Sequence, residues 1–554
     1  MNKLDAATNG ATPTGQWRDG ALAALGGERF DLLVVGGGIT GCGIARDAAL
    51  RGMRVALCEQ DDFASGTSSR SSRLIHGGVR YLEHGHLHLV FESSRERRRL
   101  LRIAPHLVRP LAFTWPVYAG ARVAHWKLLA GLTLYDALAL FRNVGNHRRL
   151  TREAVLAREP ALRPEGLEGG ARYWDASTDD ARLTLANALG AVRAGATVIN
   201  HAPVVSLNFG DNGADGAVVR DALSGVEVTV RARTVVSAAG PWTDAVQAME
   251  SAQHRASVLG SAGAHIAVPR ERVSNREAVT LVSPHDGRVF FVLPAGDHAI
   301  IGTTETPAGA PPHEIRATRG EVRYLLESCN AFFPAGALRD DDVVSAWSGI
   351  RPLAAALADG DAGSASREHT ISVGARGVLA VTGGKLTTYR AMAEEVVDRV
   401  AESLGMAGRD GRAWRETPLP GGDIASLEAV SAEAASAVDD AAVAARLARA
   451  HGSAWRDVWS LTGEAPALRE RIDAALPYTF AEALHAFRRE MACTLGDLLV
   501  RRTQLAFETR DRGVRAARDA AERLAPHLGW DAARVSEELR RYEREAERIF
   551  AVVG

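Results

Sequence analysis

Residues 30–41 read FDLLVVGGGITG, a short apolar, β-branched run that ends on a triple glycine. Such a run has the composition of a strand buried on both faces of a parallel sheet. Gly36, Gly38 and Gly41 fill the glycine positions of a G-x-G-x-x-G turn. The helical stretch GIARDAALRG follows, and a second strand, RVALCE, ends at Glu59. Each part has a physical task. The glycines permit the tight turn, bring backbone amides up to a pyrophosphate and let the helix lie close on the strand. The helix start adds amide donors and the positive end of its dipole. Glu59, 18 residues past Gly41, stands where a carboxylate can take ribose hydroxyls. This order commits the chain to a βαβ unit that binds a dinucleotide. By itself it leaves NAD and FAD both open.

With 554 residues the chain is too long for one core, so two or three domains are expected. A formal net charge of -1 gives no general attraction to nucleic acid or acidic lipid, so no nucleic-acid partner is expected and anion binding must be local. Cys42, Cys58, Cys329 and Cys493 are scattered without a CxxC pair or metal spacing, which suits a reducing cytoplasm. Residues 1–28 are polar and are expected to be a flexible extension. No stretch has about 18 consecutive apolar residues, the length of a spanning helix. The nearest, residues 123–141, is broken by His125, Lys127 and Asp136. It reads either as a core helix or as a helix lying on a membrane, with Trp126, Leu128, Leu129, Leu132, Tyr135, Leu138 and Leu140 beside Arg122, Lys127 and Arg142. The arginine run RERRRL, residues 95–100, reads as an exposed helix face paired with Glu92 and Glu96.

Directly behind the βαβ unit stands SSRSSRLIHGGVRYLEHG, residues 68–85. Its small hydroxyl residues, with Gly77 and Gly78, let backbone lie against a large flat ligand and hydrogen-bond it. The stretch closely resembles the hallmark of FAD-dependent, quinone-linked glycerol-3-phosphate dehydrogenases, members of the D-amino-acid-oxidase-like flavoproteins. The likeness continues through DDARLTLANA (179–188), SAAGPWTD (237–244), IIGTTE (300–305), SGIRPL (348–353), SREHTI (366–371), GGKLTTYR (383–390), LPGGD (419–423) and DLLVRRTQLAF (497–507). Departures are few. Arg73 stands where the family usually has lysine, Glu305 where it has aspartate, and no lysine precedes His265 in SAGAH.

The resemblance implies an α/β protein: a Rossmann-like FAD-binding domain from residues 29–85, 177–250 and 340–415, an antiparallel-sheet substrate domain from 86–176 and 251–339, and an all-helical C-terminal domain, 424–554. Strand-like segments near 197–205, 234–238 and 378–382 would complete the FAD sheet, and 265–268, 290–294 and 299–303 the substrate sheet. In the last domain Val535, Leu539, Tyr542, Ala546 and Ile549 recur at helical spacing. Non-covalent FAD would be held by Gly36, Gly38, Gly41, Glu59, Thr67, Ser68, Ser69, Ser72, His76, Gly77, Gly78, Val204, Ala239, Gly240, Gly384, Lys385, Leu386 and Thr387. The implied substrate, sn-glycerol 3-phosphate, needs cations for its phosphate, and arginine forks meet phosphate best. Arg80, Tyr81, Thr303 and Arg367 would bind it. Oxidation at C2 also needs a base, for which His265 is nominated, with Arg351 and Lys385 stabilising the developing alkoxide. Electrons would pass to a membrane quinone, with peripheral attachment at the cytoplasmic face of the inner membrane. A homodimer is compatible with this picture. Two alternatives stand beside it: an oxidase of the same fold that uses oxygen, and a flavin-binding protein without catalysis.

Overall fold

The strand Arg29–Val35 is buried at every position but its first. It pairs in parallel with Val55–Cys58 on one side and Glu227–Ser237 on the other, as a buried βαβ strand must. The computed structural model describes residues 13–79, 82, 85–211, 213–251, 253, 254, 256–354, 368–408 and 411–554. In it Thr197–Ile199 and Leu379–Gly383 extend this sheet, and His369–Val373 adds an antiparallel edge. The helices Ile39–Leu50, Asp180–Arg193 and Tyr389–Ser403 pack together on one face. Their apolar sides share a core with Leu32, Val34, Val55 and Val236.

A second sheet of ten strands stands beside the first. Near one end of it Val258–Pro269 runs antiparallel to Ser345–Ala354 and to His298–Gly302, so His265 faces Trp347 across one pair and Gly302 across the other. The protein is therefore an α/β structure with two sheets and a helical C-terminal region.

Several expected boundaries differ. Residues 13–27 are not a flexible extension: Pro13–Gly27 is a helix, with Leu25 fully buried. Its Arg18 donates to Asp221 Oδ1 at 2.5 Å and to the carbonyls of Asn200 and His201. Residues 1–12 lie outside the described residues. Ser345–Ala354 belongs to the second sheet rather than the FAD sheet, as does Leu74–Ile75, which pairs with Leu167–Thr178. The expected strand at 197–205 is two. Thr197–Ile199 ends, and Val204–Gly210 leaves in a hairpin with Gly213–Arg220. The helix Leu87–Ile103, assigned to the substrate domain, sinks Leu100 and Ile103 into the FAD-side core. Its arginine run is not an exposed face either. Arg97 is buried and ion-paired with Asp175, and Glu96 is buried too.

The C-terminal helices include Phe480–Arg489, Val514–Leu528 and Ala532–Phe550, the last burying Tyr542, Ala546 and Ile549 as its periodicity predicts. Their core is continuous with the second sheet, since Leu484, Leu498 and Phe507 join Phe113, Trp115 and Tyr173 in one cluster. A charged seam ties them to the first sheet. The π-helical turn Asp497–Arg502 sets Arg501 and Arg502 side by side, and both donate to Asp62 Oδ2 at 2.6 Å. Nearby, Arg182 pairs with Glu490 at 2.6 Å, and Arg446 with Glu482 at 2.9 Å. Two buried groups there, His201–Cys493–Asp497 and His451–His485–Glu490, converge with the spacing of metal ligands. Each of their carboxylates already meets a guanidinium, Arg501 on Asp497 and Arg182 on Glu490.

Candidate active site

The glycine turn is built as its chemistry requires. Gly36 has φ 107°, and a Cβ there would lie 2.7 Å from the Ala238 carbonyl oxygen. A Cβ on Gly41 would lie 1.9 Å from the Gly36 oxygen, so helix and turn touch backbone to backbone. Gly37, which the spacing did not single out, is equally constrained, since a Cβ there would meet Glu59 and Phe63 at 2.8 Å. Ile39–Leu50 starts at Gly38 without a side-chain cap, leaving its first turn to face the cavity. Ser68 Oγ accepts from the Ile39 amide at 3.0 Å and so braces that start. Glu59 Oε2 accepts from Gly37 N at 2.6 Å, and its Oε1 from Asp61 N at 2.9 Å. Burial raises its pKa to about 7 against the pull of those two amides.

A single cavity of about 870 Å³ runs from this turn to the second sheet. Gly36, Gly38, Glu59, Thr67, Ser68 and Ser72 line one end, joined by His76, Gly78, Val204, Ala239 and Gly240. Gly384, Lys385, Leu386 and Thr387, just past the end of Leu379–Gly383, close it from another side, and His265, Thr303 and Arg351 face it from the second sheet. Gly41, Ser69 and Gly77 are buried just behind the wall. Gly77 N donates to Tyr135 Oη at 2.8 Å and to Asp175 at 3.1 Å, which pins the wall from behind. Thr67 and Thr387 spend their hydroxyls on the wall itself. The first donates to the Ile350 carbonyl at 2.6 Å, and the second accepts from His76 N at 3.0 Å. Arg80, Tyr81 and Arg367 lie outside the described residues.

His265 is 3% exposed. Its Nε2 lies 2.9 Å from Ser72 Oγ, and its ring stacks on Trp347 at 5.6 Å and 10°. It also packs flat over Gly302, where a Cβ would come within 2.3 Å of the ring. Burial, then the Arg351 and Arg73 guanidinium groups, hold its pKa down to about 3. The imidazole is therefore neutral at physiological pH. Arg351 Nη2 donates to Thr303 Oγ1 at 3.1 Å, and both press on Gly263, where a Cβ would lie 2.6 Å from Thr303 Oγ1 and 2.7 Å from Arg351 Nη2. Gly263, two residues before His265 on the same strand, lines the cavity.

Sequence reasoning passed over two cavity arginines. Arg288 donates to the Glu305 carbonyl at 2.6 Å, and Arg70 is held by burial, and by Arg548 and Arg501 of the C-terminal region, at a pKa of about 10. Arg70 could have been found, since it stands inside the serine-rich stretch. Arg288 sits in an unremarkable PHDGR turn that gives no signal.

The residues present fit an FAD-sized ligand. A glycine cradle closed by backbone contacts, an uncapped helix start, a buried carboxylate and a cavity near the upper end of ligand-pocket volumes suit a dinucleotide with a flat ring system. Residues 31–399 match the family model described as FAD dependent oxidoreductase, and residues 414–535 the one described as C-terminal domain of alpha-glycerophosphate oxidase. The glycerol-3-phosphate dehydrogenase of Mycobacterium leprae is 38% identical over 548 residues, which cover 96% of this chain and 90% of that one. That of Synechocystis is 37% identical over 94% of this chain and 96% of its own length. The solved structure of the Bacillus halodurans glycerol-3-phosphate dehydrogenase, complexed with FAD, superposes with a TM-score of 0.80 at 30% identity, covering 97% of this chain and 98% of the other.

Proposed function

Because the chain belongs to the family of FAD-dependent glycerol-3-phosphate dehydrogenases, we propose that it oxidises sn-glycerol 3-phosphate to dihydroxyacetone phosphate and delivers the electrons to a membrane quinone. One observation carries the chemical part of this reading: neutral His265, Ser72 and Arg351 border the same cavity as the glycine cradle. FAD, when bound there, supplies the hydride acceptor. The chain's own residues do the rest. Arg351, fixed by Thr303, directs its fork at the substrate's anionic end and at the oxygen that becomes alkoxide-like. The C2 hydroxyl proton passes to His265 Nε2, the nitrogen beside Ser72. Lys385, on the flavin side, adds positive charge as the hydroxyl loses its proton. Arg80, Tyr81 and Arg367 complete substrate binding in this reading. A substrate dianion entering between these groups offsets the cations that hold His265 neutral, so proton transfer becomes favourable only once substrate is bound.

The membrane part rests on surface chemistry. No helix among the described residues is long and apolar enough to cross a bilayer. The helix His125–Leu138 buries Leu128, Leu132 and Tyr135, yet Trp126 is 74% exposed and Phe141, just past its end, 60%. Leu140 and Phe141 both have left-handed backbone, φ 54° and 51°. That is an unfavourable conformation for large side chains, and here it leaves both out in solvent. Leu87, Phe91, Leu134 and Val144 are exposed as well, with Lys127 and Arg142 nearby in the chain. We assign peripheral attachment at the cytoplasmic face of the inner membrane to this apolar, cation-flanked surface.

Anaerobic addition of sn-glycerol 3-phosphate to the purified yellow protein tests the reaction. Bleaching of the flavin absorbance supports it, and an unchanged spectrum leaves a flavin-binding protein without catalysis. Reoxidation by a short-chain quinone much faster than by air favours the dehydrogenase. Rapid peroxide formation in air would make it an oxidase instead.

A further inference from the structure

Arg73 does not line the cavity, yet its charge bears on His265. Its backbone has φ 55°, a region that residues other than glycine hold only where their surroundings fix it. Its amide donates to Ser71 Oγ at 3.0 Å, and its carbonyl accepts from Thr178 N at 2.8 Å. Ser71 is in turn tied to Asp180, its Oγ donating at 2.7 Å. So held, the Arg73 guanidinium lies 5.8 Å from the Trp347 ring and 5.0 Å from the Phe507 ring. Trp347 stacks on His265, while Phe507 meets Trp347 edge-on at 5.0 Å and Phe550 at 4.9 Å. A stack of rings thus runs from the cavity into the last C-terminal helix, with a cation seated on it. Nε and Nη2 of Arg73 are buried without a hydrogen-bond partner among the described residues.

The charged groups that face the imidazole are Arg351, from the paired strand, and Arg73. Those that face Arg73 are Asp180 and Glu508. Glu508 is a weak counter-ion. Burial raises its pKa, and it already accepts from Tyr478 Oη at 2.8 Å. We propose that Arg73 is a positioning residue for His265: seated on Trp347 and Phe507, it places a cation behind the ring that stacks on the imidazole, so that His265 takes a proton only when an anion occupies the cavity, and the C-terminal region supplies half of that seat. The proposal rests on the reading of His265 as proton acceptor.

The test uses FAD-loaded protein with ring-15N-labelled histidine, saturated with inorganic phosphate and titrated from about pH 3 to 8. The His265 signal is identified by its loss in H265N. Replacing Arg73 by a neutral residue, in R73M or R73Q, should raise the His265 midpoint by roughly one unit or more, because a like charge has been removed. R73K should stay close to wild type, and F507A should fall between. Superimposable titrations of wild type and either neutral variant would overturn the proposal. So would a shift in R73K as large as in R73M, since shape rather than charge would then be at work. Should both neutral variants fail to load FAD, F507A decides: an unmoved midpoint overturns the proposal. Flavin-reduction rates measured alongside separate the two readings. If the midpoint rises in R73M but the acid limb of the rate does not follow, His265 is not the proton acceptor, while Arg73 keeps its role.

Discussion

His201 and His265 are equally dry, 4% and 3% exposed, yet the protein pushes their pKa values in opposite directions. Burial alone would lower both. At His201 the Asp497 carboxylate, 2.9 Å away, overrides burial and raises the pKa above its ordinary value. At His265 the Arg351 and Arg73 cations add to burial and bring it to about 3. The two regions differ in the same way on a larger scale. Along the seam, arginines that are buried or nearly so meet carboxylates of the chain itself: Arg501 and Arg502 on Asp62, Arg182 on Glu490, Arg446 on Glu482. Around His265 the charges that act on the ring are cations, as suits a cavity meant to receive an anion. Burial fixes how strongly a charge is felt. The partner fixes its sign.

The largest expected effect breaks the seam. Asp62→Ala would leave two buried guanidinium groups without their shared carboxylate, a loss of about 3–5 kcal/mol for a buried pair stripped of one partner. Urea unfolding should show it directly. A loss under about 1 kcal/mol would mean that the seam is not matched as described. The next variant acts on the cavity alone. Arg351→Ala should lower kcat/KM about tenfold to more than a hundredfold, from charge-assisted bonds worth about 1.5–3 kcal/mol. Urea midpoint and FAD content should both stay at wild-type values. Wild-type kinetics would place Arg351 outside the reaction.

The two histidines predict opposite pH dependences. The folded pKa of His265 lies far below the ordinary 6.5, so between about 6.5 and 3 the unfolded chain binds a proton that the native state refuses. Stability therefore falls as pH drops through that window, by at most about 1.4 kcal/mol per unit for one group. His106 and His485, both lowered by burial to about 3, add to the same slope. His201 is raised, so its contribution is present below 6.5 and is lost as pH rises through its folded value. Urea midpoints at about pH 5, 6.5 and 8.5 would sharpen the contrast. His265→Asn should flatten the acid flank, and His201→Asn should destabilise below 6.5 while flattening the alkaline flank. Both variants altering one flank would break it.

Much of the first sheet was legible because its signal is local. A strand, three glycines, a helix and an acid follow one another within 30 residues, and sequence neighbours become spatial neighbours. The parts that were missed depend on distant partners. The helix Pro13–Gly27 looks like a polar tail until Arg18 finds Asp221, 203 positions away. The strand Ser345–Ala354 lies between FAD-domain segments in sequence but pairs with Val258–Pro269 in space. Arg97 sits in a run of like charges, and only the strand carrying Asp175 shows which of them turns inward. The motif DLLVRRTQLAF was visible as a motif, yet nothing local says that its two arginines answer Asp62. The site followed the same rule. Its glycines and hydroxyls were readable, while Arg288 and the seat of Arg73 needed the fold.

The smallest effect on stability concerns the helix His125–Leu138, whose apolar residues are spread too evenly for the sequence to say which side faces inward. The structure divides them: Leu132 and Tyr135 are fully buried, whereas Trp126, Leu134, Leu140 and Phe141 are exposed. A largely exposed aromatic contributes little to folding, so Trp126→Ser with Phe141→Ser should shift stability by no more than about 0.5 kcal/mol. Leu132→Ala, on the inner side of the same helix, should cost about 2–5 kcal/mol and so serves as the control. If the outer side docks on lipid, the serine pair should abolish flotation with liposomes that contain anionic lipid, because the buried apolar area that drives interfacial binding is gone. Added salt should weaken wild-type flotation only in part, since Lys127 and Arg142 supply the screened share and the rings the unscreened one. A serine pair that floats like wild type moves the docking surface elsewhere on the molecule. Wild-type protein that never floats removes peripheral attachment altogether, and with it the route by which a chain without a spanning helix among its described residues would reach a quinone.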